Sequence, residues 1–200
     1  MNIVRIIRDN KILNQIYEKS TSLVEIVPYY VVEEYFSDDF NLNVDLEDIE
    51  TGLLEPSDIK TIAAHSEVPQ SDEYLNNRIA QGCICMAVKS KGSICAYSWC
   101  NLQNFAYCSI IPLKDNEAYL FDARTFSSYR GKNVAPYVRH QLYTHLTKMG
   151  RTRFISATSF FNTSAMKFKV KLGAKPVELR IYIKLFKKYS WDIPLKKDIT

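Results

Sequence analysis

The sequence predicts a mixed α/β domain, a mostly antiparallel sheet flanked by helices. Apolar runs with the strand period of two are interleaved with stretches whose apolar residues recur every three to four positions. From the acidic stretch near residue 38 onward the order reads β, α, α, β, β, β, α, β, α, β, which belongs to a sheet covered by helices. The chain is 200 residues long, 46% hydrophobic and 24% charged, enough for one buried core and too apolar for a disordered tail.

Residues 3–19 carry Ile3, Ile6, Ile7, Leu13, Ile16 and Tyr17 at loosely helical spacing. Leu23 to Phe36, rich in Val, Ile and Tyr, reads as strand with a break at Pro28. The acidic stretch Asp38 to Glu50 alternates at Leu42, Val44 and Leu46, an exposed strand. Ser57 is placed to cap a helix through Ile59 and Ile62 to about His65, and Ser71 to cap another ending at Gly82. Cys83–Lys89 and Ser93–Asn101 flank Ser90-Lys91-Gly92, a hairpin signature. Tyr119–Phe126 is a strand, Val134–Lys148 an amphipathic helix closed by Gly150, and Arg153–Ser159 a strand. A helix over Thr163–Leu172 closed by Gly173 and a strand over Val177–Lys187 finish the domain.

Composition narrows the function classes. No apolar run approaches the roughly 18 to 20 residues of a membrane span, and Arg5, Arg8, Asp9, Asn10 and Lys11 interrupt any secretory signal. Cys83, Cys85, Cys95, Cys100 and Cys108 are odd in number and form no C-x-x-C, so they read as buried thiols in a reducing cytoplasm, with no metal site. Residues 1–129 hold 10 Lys+Arg and 19 Asp+Glu, whereas residues 130–200 hold 16 and 3. A basic last third suits an anionic ligand, and an acidic remainder suits a cationic one.

The segment that carries chemistry is a strand feeding a tight basic turn and then a helix, Ser127-Ser128-Tyr129-Arg130-Gly131-Lys132-Asn133-Val134-Ala135. Free N–H groups and the positive end of the helix dipole make such a turn a seat for a pyrophosphate. Here the chain resembles the GNAT acetyltransferase superfamily, whose hallmark turn reads Arg/Gln-x-x-Gly-x-Gly/Ala. Arg130 and Ala135 match, and Asn133 stands where the middle glycine is usual; Asn tolerates the left-handed backbone that position needs. A second match follows downstream in Asn162, Ala165, Lys171 and Gly173, with Phe168 as a conservative stand-in. There Lys169 takes the place of a tyrosine that often protonates the departing sulfur, and Ala174 that of an aromatic.

The resemblance covers residues 45–187 and implies a GNAT acyl-CoA N-acyltransferase-like fold in 45–200, with 1–44 as an N-terminal extension packed on the core. It implies an N-acetyltransferase using acetyl-CoA as co-substrate. The cofactor then meets Arg130, Gly131, Lys132, Asn133, Val134 and Ala135, with Asn162 nearby, and the N–H groups around Thr125 and Phe126 receive the pantetheine arm and the oxyanion. An alkylammonium has a pKa of about 10.4, so the acceptor needs a base. Asp122 on the motif strand is the candidate, with Arg124 expected on the same face as its partner. Lys169 is the candidate for thiolate stabilisation or a phosphate contact, and His65 is a lesser candidate for the base.

The acceptor is then a small-molecule or peptide amine, with neither nucleic acid nor membrane as partner, in a monomer or homodimer. A second reading keeps the fold without turnover, as an acyl-CoA-binding or interaction module, on the strength of Asn133, Lys169 and Ala174. A third, nucleic-acid binding through Lys167 to Lys188, is set aside because Phe168, Tyr182, Phe186 and Tyr189 are mostly expected to face the core.

Overall fold

The computed structural model describes residues 23–37, 43–197 and 199; the helical spacing over 3–19 and Asp38 to Leu42 lie outside them. Ten strands and four helices follow in order: β1 (Val24–Glu34), β2 (Ile49–Leu53), α1 (Pro56–Ala63), α2 (Asp72–Ala80), β3 (Ile84–Ser90), β4 (Ser93–Asn101), β5 (Asn104–Ala106), β6 (Ile110–Pro112), β7 (Glu117–Thr125), α3 (Val134–Lys148), β8 (Arg153–Ser159), α4 (Thr163–Lys171), β9 (Lys175–Leu185) and β10 (Tyr189–Lys197).

Eight strands make one sheet in the order β10-β9-β1-β8-β7-β4-β3-β2, and β5 and β6 form a small separate hairpin. Every pair in the large sheet is antiparallel except β7 and β8. That parallel ladder is short: Glu117–Leu120 pairs with Arg153–Ser156 and the strands then part.

Both faces of the central strands are covered. Cys83, Cys85 and Ala87 pack with Ile59, Ile62 and Leu75 of α1 and α2, whereas Met86 and Val88 pack with Val138, Leu142 and Leu146 of α3. Alternate residues of β3 therefore go to opposite cores, which is why its sequence is apolar almost without interruption. The turn Lys91-Gly92 has positive φ at both positions, 50° and 75°, the geometry of a two-residue hairpin.

Several expectations are corrected. Pro28 does not break β1: its carbonyl accepts from Phe160 on the β8 side, so the missing N–H faces the same way and the ladder to β9 loses nothing. In the acidic stretch the described residues 43–48 are not strand; Val44 and Leu46 instead pack on the core from a loop. Helix α1 is capped by Glu55, whose N–H donates to Asp58 at 3.1 Å, and Ser57 lies inside the first turn behind Pro56. The last strand runs Lys175–Leu185 and is followed by the unforeseen β10. Of the four aromatics mostly expected to face the core, Phe186 and Tyr189 are exposed. Ser71 caps α2 as expected, accepting from Tyr74 N–H at 3.2 Å. Residues 24–34, within the expected N-terminal extension, form β1, which is paired on both edges inside the sheet.

Candidate active site

The parting of β7 from β8 opens the sheet at the carboxyl ends of a parallel pair, the usual place for a ligand crevice. Just there β7 bulges. Tyr97 pairs with Arg124 and Trp99 with Phe121, so Asp122 and Ala123 together oppose Ser98, and Asp122 has φ 43°. The bulge re-aims the side chains and overturns the expected Asp122–Arg124 pair. Asp122 Oδ2 instead accepts from Arg78 of α2 at 2.6 Å, and Arg124 donates to the carbonyl of Glu67 at 2.5 Å. The Arg78 guanidinium lies 4.8 to 5.2 Å from the ring centres of Tyr74, Phe121 and Trp99. Burial works against its charge, and Asp122 more than restores it, leaving Arg78 above its ordinary pKa. The Tyr97 hydroxyl and Trp99 indole N–H are buried without a hydrogen-bond partner among the described residues. Burial and then the Asp122 charge push the Tyr97 pKa up to about 12.

After β7 a 3₁₀ turn over Ser127–Tyr129 leads through Gly131 at φ 80° to Asn133 at φ 60°, and α3 starts. Asn133 thus takes the left-handed conformation. Its side chain does not cap the helix: Oδ1 accepts from Lys171 of α4 at 2.7 Å and Nδ2 donates to the carbonyl of Asn43 at 3.0 Å. Between turn and α4 lies a groove of about 550 Å³. Thr125, Arg130, Gly131, Asn133, Val134 and Ala135 line it from the turn side, and Lys167 and Lys171 from α4. Val134 and Ala135 offer first-turn N–H groups that the helix cannot satisfy. The Thr125 hydroxyl is buried and has no partner among the described residues.

Three predicted cofactor residues do not line this groove. Phe126 spends its N–H on the Cys95 carbonyl at 3.0 Å, so it has none to give an oxyanion, and its ring is buried against His65. Lys132 lines a separate groove with Asp45 and Glu47. Asn162 caps α4, accepting from Ala165 N–H at 3.0 Å. His65 lies away from the groove, its Nδ1 accepting the Glu67 N–H at 3.2 Å and its ring stacked on Phe126. Glu67 itself accepts from Ser127 N–H and hydroxyl and from Arg130.

Lys169 is neither solvated nor in the groove. It is buried, and its Nζ donates to Ser156 Oγ at 2.7 Å, Thr158 Oγ1 at 2.6 Å and the Ala157 carbonyl at 3.3 Å. Glu34 of β1 stands 3.6 Å away, also buried, and meets Arg139 of α3 at 3.3 Å. Tyr143 and Ser156 donate to the same carboxylate. Burial pushes the Lys169 pKa down to about 8, against the pull of Glu34. For Glu34, burial is outweighed by Arg139 and Lys169, and its carboxyl stays below the ordinary range. Two cations thus share one carboxylate in a closed interior, a structural cluster joining β1, β8, α3 and α4 and not a proton donor to the groove.

No family model matches the chain, and no curated protein matches it. Solved structures do. It is similar to a putative GNAT-family acetyltransferase from Novosphingobium aromaticivorans at TM-score 0.56 and 15% identity, covering 80% of this chain and 64% of that one. A GNAT-family acetyltransferase from Colwellia psychrerythraea aligns at TM-score 0.56 and 20% identity, over 92% of this chain and 62% of that one. An N-acetyltransferase from Staphylococcus aureus aligns at TM-score 0.52 and 11% identity, over 70% and 99%. The chain has the GNAT fold. It spans less than two thirds of the length of the first two of these proteins.

Within the GNAT fold, the groove can hold an anion at the turn, and the bulge presents a carboxylate at the opening of the sheet. Arg78, Glu67, Glu34 and Arg139 were not among the residues expected here. Arg139 had a readable signal: it falls three and four residues before Leu142 and Tyr143, on the buried stripe of α3, where a guanidinium demands a counter-charge. Lys169 had the same one, three residues before buried Leu172. Arg78 and Glu67 had none, since both act across the fold from solvent-facing segments.

Proposed function

We propose that the protein is a GNAT-type N-acyltransferase that moves an acyl group, acetyl in the simplest case, from coenzyme A to a primary amine. The reading rests on one observation: six of the nine residues matched to the cofactor motifs line a single groove at the open end of the β7–β8 pair. The groove fits the cofactor's chemistry. Val134 and Ala135 N–H groups, Arg130 and Lys167 face phosphate charge, and the orphaned Thr125 hydroxyl can pair with a pantetheine amide.

The bound cofactor supplies an activated thioester. The acceptor nitrogen forms a bond to the carbonyl carbon, the carbon–sulfur bond breaks, and the acceptor's proton must go elsewhere. Asp122 receives it on Oδ1, the oxygen that has no partner among the described residues, while Arg78 holds Oδ2 and fixes the carboxylate. The departing thiolate has a conjugate pKa of about 8.5 and leaves without a dedicated acid. Arg78 already takes Oδ2 and the three aromatic rings, so Oδ1 of Asp122 is what the acceptor side leaves for an amine. Five free thiols suit a cytoplasmic protein.

The Arg78–Asp122 pair also favours a second reading, binding of acyl-CoA without turnover, because the carboxylate is already neutralised. A thermal melt with acetyl-CoA, free CoA and a nucleotide control tests both. Ligand at about 100 times its Kd stabilises by roughly 2.7 kcal/mol, a rise of about 5 to 10 °C at this size. A shift with CoA species alone supports the cofactor, and acyl transfer to a panel of amines then separates enzyme from binding module. No shift overturns the reading.

A further inference from the structure

Among the described residues, the sheet is largely uncovered where β1, β9 and β10 face the α3–α4 side. Val24, Ile26, Pro28 and Tyr30 of β1 stand opposite Leu185, Ile183, Ile181 and Leu179 of β9, and these in turn stand opposite Tyr189, Trp191, Ile193 and Lys196 of β10. Paired residues share a face, so twelve side chains form one surface, and eleven are apolar. Ile26 is 57% exposed and Trp191 47%, and Val24, Tyr189 and Ile193 are exposed too. Phe160, Phe161 and Val170 continue the patch along α4, where an apolar groove of about 410 Å³ begins at Tyr30.

Eight of these apolar side chains are exposed, four of them aromatic rings of the kind that bury about 150 to 250 Å² each when covered, and with the partly exposed ones between them they amount to on the order of 1,000 Å². A typical soluble monomer's largest apolar patch is roughly 300 to 600 Å². Partial exposure of the face therefore calls for an occupant. Edge-on pairing is disfavoured, since Pro194 leaves the outer strand β10 without one of its N–H donors. The occupant must meet the face.

Charge chooses the occupant. Lys167, Lys187, Lys188 and Lys196 stand exposed around or on the patch, and no carboxylate stands among its twelve side chains. Lys188 lies over the Tyr189 ring at 5.2 Å, and Tyr189 stacks on Trp191. A second copy would set lysine against lysine. Trp and Tyr beside lysines over an aliphatic field are what the interface of an anionic bilayer accepts. We propose that this face seats the protein peripherally on an anionic phospholipid surface. No helix among the described residues is long and apolar enough to cross a membrane, which agrees with a docked and not an inserted arrangement.

The test is co-sedimentation of the full chain with vesicles of phosphatidylcholine alone or with about 30% phosphatidylserine. Trp191 serves as an internal reporter, because the other tryptophan, Trp99, is fully buried. Binding is expected only with phosphatidylserine, with a blue shift of Trp191 emission. It should weaken at least tenfold in 0.5 M salt and at least tenfold in the double variant Lys187→Glu, Lys188→Glu. Ile26→Ser with Ile193→Ser should abolish the blue shift, and circular dichroism confirms that each variant is folded. Equal binding to both vesicle types, or none by the folded protein, overturns the proposal. So does a concentration-dependent dimer that Ile26→Lys dissolves, which would give the face to a second copy. None of these outcomes depends on coenzyme A.

Discussion

Glu67 sets its carboxylate on Ser127, accepting from the backbone N–H at 3.0 Å and from the hydroxyl at 2.7 Å, and meets Arg130 at 3.0 Å from the same side. An anion from the α1–α2 loop thus already uses donors beside the proposed pyrophosphate seat. The Ser127 hydroxyl and N–H hold the Glu67 carboxyl below its ordinary range. Its contribution is therefore present above the ordinary carboxylate pKa and is lost as pH falls through the lowered value.

Removing that charge should help the cofactor. Glu67→Gln should tighten CoA binding about fivefold at low salt and less at high salt, where exposed charges are screened. Calorimetric titration reads it. Weaker binding in the variant would mean that Glu67 aims Arg130 instead of competing with the cofactor.

At Asn133 one substitution should touch both stability and affinity. Asn133→Asp keeps an acceptor for Lys171 at the N-terminus of α3 but replaces the Nδ2 donor to the Asn43 carbonyl with an acceptor, and it sets a negative charge on the groove. The melting temperature should hold or fall slightly while CoA affinity falls about fivefold or more. Unchanged affinity would move the cofactor out of this groove.

Asp122→Asn keeps the shape and removes the base. Turnover should fall by a factor of about 100 or more with CoA affinity unchanged. Arg78, then without its counter-charge, should cost the fold about 1 to 3 kcal/mol. An unaltered rate would take Asp122 out of the mechanism.

The buried cluster should be lopsided. Glu34→Gln leaves Arg139 and Lys169 facing one another without an anion and should cost about 3 to 5 kcal/mol, whereas Lys169→Met leaves a one-to-one pair and should cost less. The Lys169 pKa of about 8 lies below its unfolded value, so from about pH 8 to about 10.4 the unfolded chain holds more protons and this group makes stability rise with pH. Buried thiols and phenols with raised pKa values pull the other way. Lys169→Met should therefore lose stability more steeply than wild type between pH 8 and 10. Urea midpoints at the two pH values read the difference.

Local chemistry made much of this legible. Helix α3 and strand β8 have the expected bounds, and the left-handed Asn133 follows from the few residues that tolerate that backbone. Where a regular period was assumed across an irregular strand, the reading failed: the bulge at Asp122 swaps Arg124 for Arg78. Strand β10 escaped because its hairpin turns on Phe186 and Lys187, both at positive φ, with none of the Gly or Asn that signals such a turn. The burial of Lys169 could be read from its place three residues before Leu172, but its partner Glu34 sits on a distant strand, so the cluster itself was not legible.

The place of β1 has a consequence for how the molecule is made. Its neighbours begin at Arg153 and Lys175, so a strand that leaves the ribosome early waits for more than a hundred further residues before either edge can be bonded. Its ladder closes long loops, the slow kind of contact, and until then Glu34 has neither Arg139 nor Lys169 to neutralise it. The strand synthesised ahead of all the other described ones should wait for β8 before it takes its seat, and β9 and β10 can join only through it, so a nascent chain halted before Arg153 should leave β1 open to protease.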